Sequence, residues 1–346
     1  MKKLCMVGHF GFGQDLMNGQ TVKTKMVCRE LEKQLGEDQV FKIDTHGGGK
    51  NYLKIIRNLI YAFRNCENIM ILPAHNGIRV FVPLCAVLSF LFNRKLHYIV
   101  IGGWLPGFLR HKILIKRFLM KFSGIYVETA TMKRSLEEMC LKNIYLLVNF
   151  KECRILPPSE LIYPVSRPYK LCTFSRVIKE KGIEDAVEAV KQINREYGKT
   201  VCTLDIYGQV DKEQAEWFAE MEGQFPDYIK YKGVISFHKS IEVVKNYFAL
   251  LFPTRFYTEG IPGTILDSYA AGVPVISAKW ESFDDVMEEH VTGYGYPFGD
   301  FNGFKDVLKM CIEKPELMNG LKLKCIKAAE NYQPGHAVKV ILREVM

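Results

Sequence analysis

The residue types best suited to chemistry fall in two stretches of the 346-residue chain. One runs Pro253-Thr-Arg-Phe-Tyr-Thr-Glu259-Gly260-Ile261-Pro262-Gly263-Thr264-Ile-Leu-Asp267 and continues to Gly272-Val-Pro274-Val-Ile276. A strand should end at Phe252, a loop should carry Glu259, and a helix should begin at Pro262 or Gly263, because proline suits the first helical turn. The first N–H groups of such a helix lack partners and form an anion site. Asp267 then falls in the second turn, within reach of a hydroxyl-rich ligand held at that end. Gly272-Val-Pro274 closes the helix and opens the next strand. Taken singly, each carboxylate reads as an ordinary structural acid; taken as an ordered string, they read as a binding site. The other stretch, Cys172-Thr-Phe-Ser175-Arg176-Val-Ile-Lys179-Glu180-Lys181-Gly182, is a strand running into a basic loop and a helix. Arginine offers a planar fork and lysine a compact charge, a combination suited to a diphosphate, although a lone basic loop is ordinarily solvated surface.

Other loops offer weaker signals. Gly8-His-Phe-Gly11-Phe-Gly13 follows the first strand, and Asn18-Gly19-Gln20-Thr21 leads into a helix. Gly11 and Gly13 allow a backbone to come close to a ligand, or form a plain tight turn. The spacing of a dinucleotide fingerprint is absent, and no acid ends the next strand at the distance that fingerprint needs. His75 sits in the loop Pro73-Ala-His75-Asn-Gly77, where a single histidine is either structural or catalytic. Arg110 to Phe122, with Lys112, Lys116, Arg117 and Lys121, reads either as an amphipathic basic helix able to lie on anionic lipid or as a core-facing helix with a solvated face.

The elements that must hold these residues alternate along the chain. Strand candidates at 4–8, 40–44, 69–72, 97–101, 124–128 and 144–148 are separated by helix-length segments such as 21–35 and 132–141. That order predicts an α/β fold with a parallel sheet covered on both faces. Pro157, Pro158, Pro164 and Pro168 mark a boundary, after which strands at 171–175, 203–207, 229–232, 249–252 and 273–277 resume the pattern. We therefore expect two doubly wound, Rossmann-like domains, residues 1–160 and 161–330, with 331–346 packing back on the first. Two such domains facing each other leave a cleft at the carboxyl ends of their strands. Ten cysteines show no metal-like spacing and imply buried thiols in a reducing compartment. The N-terminus shows no export signal, so a cytoplasmic protein is expected, working at the inner face of the membrane. Up to residue 160 there are 24 Lys and Arg against 12 Asp and Glu, a net of +12, which leaves −3 for the rest. This asymmetry calls for an anionic partner of the first half. No nucleic-acid motif is present, so a membrane surface fits better.

The ordered strings resemble glycosyltransferase family 4, whose hallmark reads E-G-x-P-x-x-x-x-E-A-x-A-x-G-x-P-V-I. The resemblance runs in order along nearly the whole chain, and its specific elements are 259–276 and 176–182. It implies the two-domain GT-B fold and retaining transfer of a sugar from a nucleoside-diphosphate donor, with UDP-sugars favoured. It assigns Glu259 to the donor sugar's hydroxyls, and Asp267, one methylene shorter than the usual Glu, to the ribose. Arg176 and Lys181 match the family's diphosphate-binding Arg and Lys. Gly260, Ile261, Pro262, Gly263 and Thr264 would line the donor site, Gly208 and the Gly233-Val234 loop the base, and Gly11 and Gly13 the donor phosphates and the acceptor. His75 would lie near the donor sugar; Gly102-Gly103 stands where the family commonly carries His or Asp. The resemblance further implies no metal and no cofactor, a front-face mechanism, closure around the donor, and a glycan or lipid-linked glycan acceptor in cell-surface polysaccharide assembly. A GT-B UDP-sugar epimerase and a catalytically silent sugar-nucleotide-binding partner of a membrane assembly are the competing readings.

Overall fold

The strands are short, apolar on both faces and joined through helices and loops, the pattern that forces parallel pairing with cover on each side. The computed structural model describes residues 1–14, 19–47 and 51–346, without the side chains of Phe237 and His336. Asn18 of the Asn-Gly element lies outside the described residues. The chain forms two units, Met1–Asn149 with Pro334–Met346, and Phe150–Gln333. The proline cluster at 157–168 thus lies inside the second unit.

In the first unit, β1 (Lys2–Gly8), β2 (Val40–Asp44), β3 (Cys66–Ile71), β4 (Lys95–Ile99), β5 (Gly124–Val127) and β6 (Ile144–Leu146) form a parallel sheet in the order β2-β1-β3-β4-β5-β6. Its helices are α1 (Gly19–Leu35), α2 (Tyr52–Asn65), α3 (Ile78–Phe92), α4 (Leu105–Leu109), α5 (Ile113–Leu119) and α6 (Ala130–Glu138). One sheet face, carrying Val7, Ile69, Ile71, Tyr98 and Ile125, is covered by α2 to α6 through Leu59, Val82, Leu119 and Leu136. The expected continuous basic helix from 110 to 122 is not what forms. Arg110, His111 and Lys112 make a break between α4 and α5, and α5 spans seven residues.

The opposite face of the same sheet holds a buried polar relay. Asn68 donates from Nδ2 to the Lys3 and Val345 carbonyls, at 3.0 and 3.2 Å. Its Oδ1 must then accept from His97 Nε2, 3.1 Å away, which leaves His97 Nδ1 to accept from the Tyr126 hydroxyl at 3.3 Å. Residues 334–346 close this side, with Ile341, Leu342 and Val345 buried. A neutral imidazole satisfies every partner in the relay, and burial, with Lys95 nearby, pushes His97 down to about 4.

In the second unit, β7 (Tyr169–Phe174), β8 (Cys202–Tyr207), β9 (Ile229–Tyr231), β10 (Ala249–Phe252), β11 (Val275–Lys279) and β12 (Gly293–Pro297) form a second parallel sheet. Its order is β12-β11-β10-β7-β8-β9. The helices are α7 (Ile183–Glu196), α8 (Ala215–Glu222), α9 (Ser240–Val244), α10 (Gly263–Ala270), α11 (Phe301–Glu313), α12 (Pro315–Asn319) and α13 (Lys322–Ala329). Strand β12 is absent from the sequence expectation because Gly-Tyr-Gly-Tyr-Pro contains no aliphatic residue and two glycines, which are depleted in strands. The cysteines are all free; eight are buried, whereas Cys140 is exposed and Cys153 partly so.

His97 sets an acid limit on the first unit. Its folded value lies below the ordinary histidine value of 6.5, so its contribution is complete above that value and is lost as pH falls toward about 4. Urea titrations should show a loss of about 3 kcal/mol over that interval, and His97→Gln should flatten the slope there. An unchanged slope in the variant would refute the assignment.

Candidate donor site of the second unit

The strand order of the second sheet reverses between β7 and β10, which are neighbours although 75 residues separate Phe174 from Ala249 in number. Loops leaving the carboxyl ends of two such strands diverge around a crevice, the usual ligand position in open α/β sheets. Here the two loops are the basic stretch after β7 and the Pro253–Pro262 stretch after β10. They are pressed together. Gly182 has φ 68°, and a Cβ on it would stand 1.8 Å from the Pro253 carbonyl oxygen, so no other residue fits. The Arg255 N–H donates to the Glu180 carbonyl at 2.8 Å.

That closeness brings the predicted charges into contact. Lys181 Nζ pairs with Glu259 Oε1, and both side chains are largely buried. The Thr254 hydroxyl donates to the same carboxylate oxygen at 3.3 Å. The Lys181 ammonium also lies 5.6 and 5.3 Å from the ring centres of Phe252 and Phe256, so its charge is held by rings as well as by Glu259. Arg176 is different. Its side chain is 57% exposed, and its nearest carboxylate is Asp211 at 3.7 Å. A guanidinium so placed keeps most of its donors for a ligand.

Helix α10 begins at Gly263, as the sequence implies, with Pro262 at the N-cap. Proline brings no side-chain oxygen to the first N–H groups, so that end keeps its partial positive charge. The Thr264 hydroxyl, in this first turn, is buried and has no partner among the described residues. Gly272 (φ 64°) ends the helix, with its N–H donating to Tyr269 and that of Val273 to Ser268.

The remaining loops of this unit sit as follows. Gly208 (φ 137°) lies so close to Ser175 that a Cβ would stand 1.7 Å from that carbonyl oxygen. Its N–H donates to Gly233 at 3.0 Å, and its carbonyl accepts from the Tyr231 hydroxyl at 2.8 Å. The position therefore ties the ends of β7, β8 and β9 together. Val234, next in the β9 loop, is 55% exposed.

Asp267 shows a feature the sequence gives no hint of. Its carboxylate is buried, and Lys151 Nζ pairs with Oδ1 while also donating to the Ser240 hydroxyl at 3.3 Å. Burial pushes Asp267 up, against the pull of Lys151 and Ser240. No local pattern could have paired residues 116 positions apart, and Lys151 is an unremarkable cation in the sequence.

Gly11, Gly13 and His75 belong to the first unit. Gly11 (φ 60°) and Gly13 (φ 79°) do sit in a tight loop, but its Phe10, Gly11 and Phe12 amides are turned to Asp44. Asp44, at the end of β2, accepts from the N–H groups of Phe10, Phe12 and His46, each at 2.9 Å. An acid thus does end the next strand, farther along than the dinucleotide spacing, and it fastens the loop. Burial pushes its carboxyl up, but the N–H groups of Phe12, His46, Phe10 and Gly11 together hold it below the ordinary range. His9 Nδ1 lies 2.7 Å from the Thr21 hydroxyl, and His46 Nδ1 lies 3.0 Å from His9 Nε2. His75 is exposed and packs edge-on against Trp104 and Phe108, at 5.0 and 5.1 Å between ring centres.

Lys151→Met strands the Asp267 carboxylate without its cation and should cost about 3–5 kcal/mol. Combining it with Asp267→Leu should recover most of that loss in thermal melts. A single variant as stable as the parent would mean that the pair carries no such weight.

Residues 168–314 match the profile of the family described as Glycosyl transferases group 1. Among characterised relatives, the amylovoran biosynthesis glycosyltransferase AmsK of Erwinia amylovora is 25% identical over 150 residues, which is 41% of this chain and 35% of that protein. The UDP-N-acetylglucosamine--peptide N-acetylglucosaminyltransferase GtfA subunit of Streptococcus pneumoniae is 29% identical over 110 residues, 32% of this chain and 20% of that one. The aligned stretches therefore span about a third or less of these relatives. Among solved structures, Anabaena HepE in complex with UDP superposes with a TM-score of 0.75 over 99% of both chains at 14% identity, a likeness of fold. The two parallel-sheet units have the GT-B fold, and residues 168–314 are similar to the family described as Glycosyl transferases group 1.

Proposed function

We propose that the chain is a retaining glycosyltransferase of family 4 that moves a sugar from a UDP-sugar to a glycan or lipid-linked glycan in cell-surface polysaccharide assembly. The observation that carries this reading is the Lys181–Glu259 pair at the strand-order reversal, beside exposed Arg176 and the start of α10. Two cations and a helix N-terminus suit a diphosphate. A carboxylate next to them suits the hydroxyls of the sugar that diphosphate carries. HepE is solved in complex with UDP, and GtfA is named for a UDP-sugar.

On this reading the donor's diphosphate draws Lys181 away from Glu259, which frees the carboxylate to accept hydrogen bonds from the donor sugar. The acceptor oxygen then bonds to the anomeric carbon as the bond from that carbon to the phosphate oxygen breaks. The acceptor's hydroxyl proton passes to the departing phosphate oxygen on the same face, and UDP leaves. Arg176, Lys181 and the α10 amides stabilise the charge that grows on the diphosphate, the part a metal plays in other transferases. Gly260, Ile261, Pro262, Gly263 and Thr264 form the surrounding wall, with the unpartnered Thr264 hydroxyl ready to donate to a phosphate oxygen. Gly208 and Val234 border the base. Asp267 reaches the ribose only by sharing its carboxylate with Lys151. Asp44 at the glycine loop would repel a phosphate, so Gly11 and Gly13 are assigned to the acceptor side.

Wild type and variants should be tested for thermal stabilisation and slow hydrolysis with UDP-, GDP- and ADP-sugars. A UDP-sugar should raise the melting temperature and be hydrolysed. Arg176→Ala and Lys181→Ala should each lower turnover on the order of 10²–10³-fold. Stabilisation without turnover, with or without added acceptor, would make the chain a silent binder, a role that the buried Asp267–Lys151 pair would suit. No response to any sugar nucleotide would end the donor-site reading.

A further inference from the structure

Residues 68–127 contain no Asp or Glu, against eight Lys and Arg. Helices α2, α3, α4 and α5 likewise carry no carboxylate at all. They share one face of the first sheet, with α2 packed on α3 and α3 on α5. A solvated protein surface ordinarily mixes both signs of charge, and the second unit does so: Arg255 meets Asp185 and Glu184, and Lys305 and Lys309 meet Glu196. On the α3–α5 layer no such pairing occurs. Lys112, Lys116 and Arg117 have no acidic partner among the described residues.

The same layer turns large apolar side chains outward. Phe90 is 87% exposed, Leu91 66%, Ile113 64% and Leu114 69%. These are not stray positions. Phe90 and Leu91 end α3, and Ile113 and Leu114 begin α5 on the neighbouring helix. Exposed apolar groups in an unbroken positive field match one environment, an interface with negative charge at its surface and hydrocarbon beneath it.

We propose that the outer face of α3 and α5 docks on an anionic lipid bilayer, with Phe90, Leu91, Ile113 and Leu114 entering the acyl boundary and Lys112, Lys116 and Arg117 meeting the headgroups. Charge complementarity selects this occupant. A second copy meeting the same face would set like charges against each other, which opposes association. Nucleic acid would match the cations but leave the aliphatic groups unused. Among the described residues no helix is long and apolar enough to cross a membrane, so the contact is a lateral one. The docking surface is independent of the donor-site reading, because none of its residues belongs to the second unit.

The test is co-sedimentation of the full chain with phosphatidylcholine vesicles, with and without phosphatidylglycerol. Binding should require phosphatidylglycerol and weaken as salt rises. Phe90→Ser with Leu91→Ser, and separately Lys112→Ser with Arg117→Ser, should each weaken it about tenfold or more. Both pairs are exposed, and unchanged melting curves would show that folding is intact. The proposal is overturned by equal affinity for both vesicle types, by no vesicle binding, or by no effect of the Phe90 and Leu91 substitutions. Light scattering that showed a dimer dissolved by the same substitutions would overturn it in favour of a second copy.

Discussion

The crevice between the β7 and β10 loops rests on one steric constraint, the contact between Gly182 and the carbonyl of Pro253. Neighbouring parallel strands lie about 4.7–4.9 Å apart, and the loops leaving them usually diverge at once. Here a glycine in the left-handed region lets the β7 loop lie flat against the β10 loop, where any side chain would collide. With the loops locked together, Lys181 and Glu259 meet at short range in a poorly hydrated place. The start of α10 is fixed three peptide units beyond Gly260. The electrostatics of the crevice therefore follow from backbone packing, and the charges need not assemble themselves.

The pair has a double character. A lysine and a glutamate, both mostly shielded from water, each bear a desolvation cost that their mutual attraction offsets. Rings of Phe252 and Phe256 lend the ammonium further support. A ligand with its own negative charge can replace Glu259 as the lysine's counter-ion without leaving either group bare, provided it also presents hydroxyls to the carboxylate. Such a pair is chemically suited to ligands that bring charge and hydroxyls together.

Much of this was legible in the sequence, and the gaps have physical causes. The limits of β2 and β10, and the start of α10, are readable because short segments rich in Val, Ile, Leu and Phe, and then Pro262 and Gly263, act within a few residues. Strand β12 is not readable, since Gly293 and Gly295 break the apolar pattern. The basic segment at 110–122 has the composition of one helix, yet its first three residues form a break and seven form α5. Tertiary pairings left the least trace. Lys151 meets Asp267 across 116 positions, and Asp44 fastens a loop more than thirty residues earlier. Nothing nearby in the sequence distinguishes either residue. The exposed apolar ends of α3 and α5 were hidden for a related reason: a helix shows which residues alternate, but only packing shows which face stays uncovered.

The return of residues 334–346 to the first unit bears on how the chain matures on the ribosome. The second unit is an uninterrupted insertion, complete once Gln333 has emerged, whereas the unit begun at Met1 waits for Ile341, Leu342 and Val345 to cover Asn68, His97 and Tyr126. Vectorial synthesis therefore finishes first the unit that starts second. Until the tail arrives, the Asn68 amide lacks the Val345 carbonyl it donates to, so the polar relay of the first unit is sealed last.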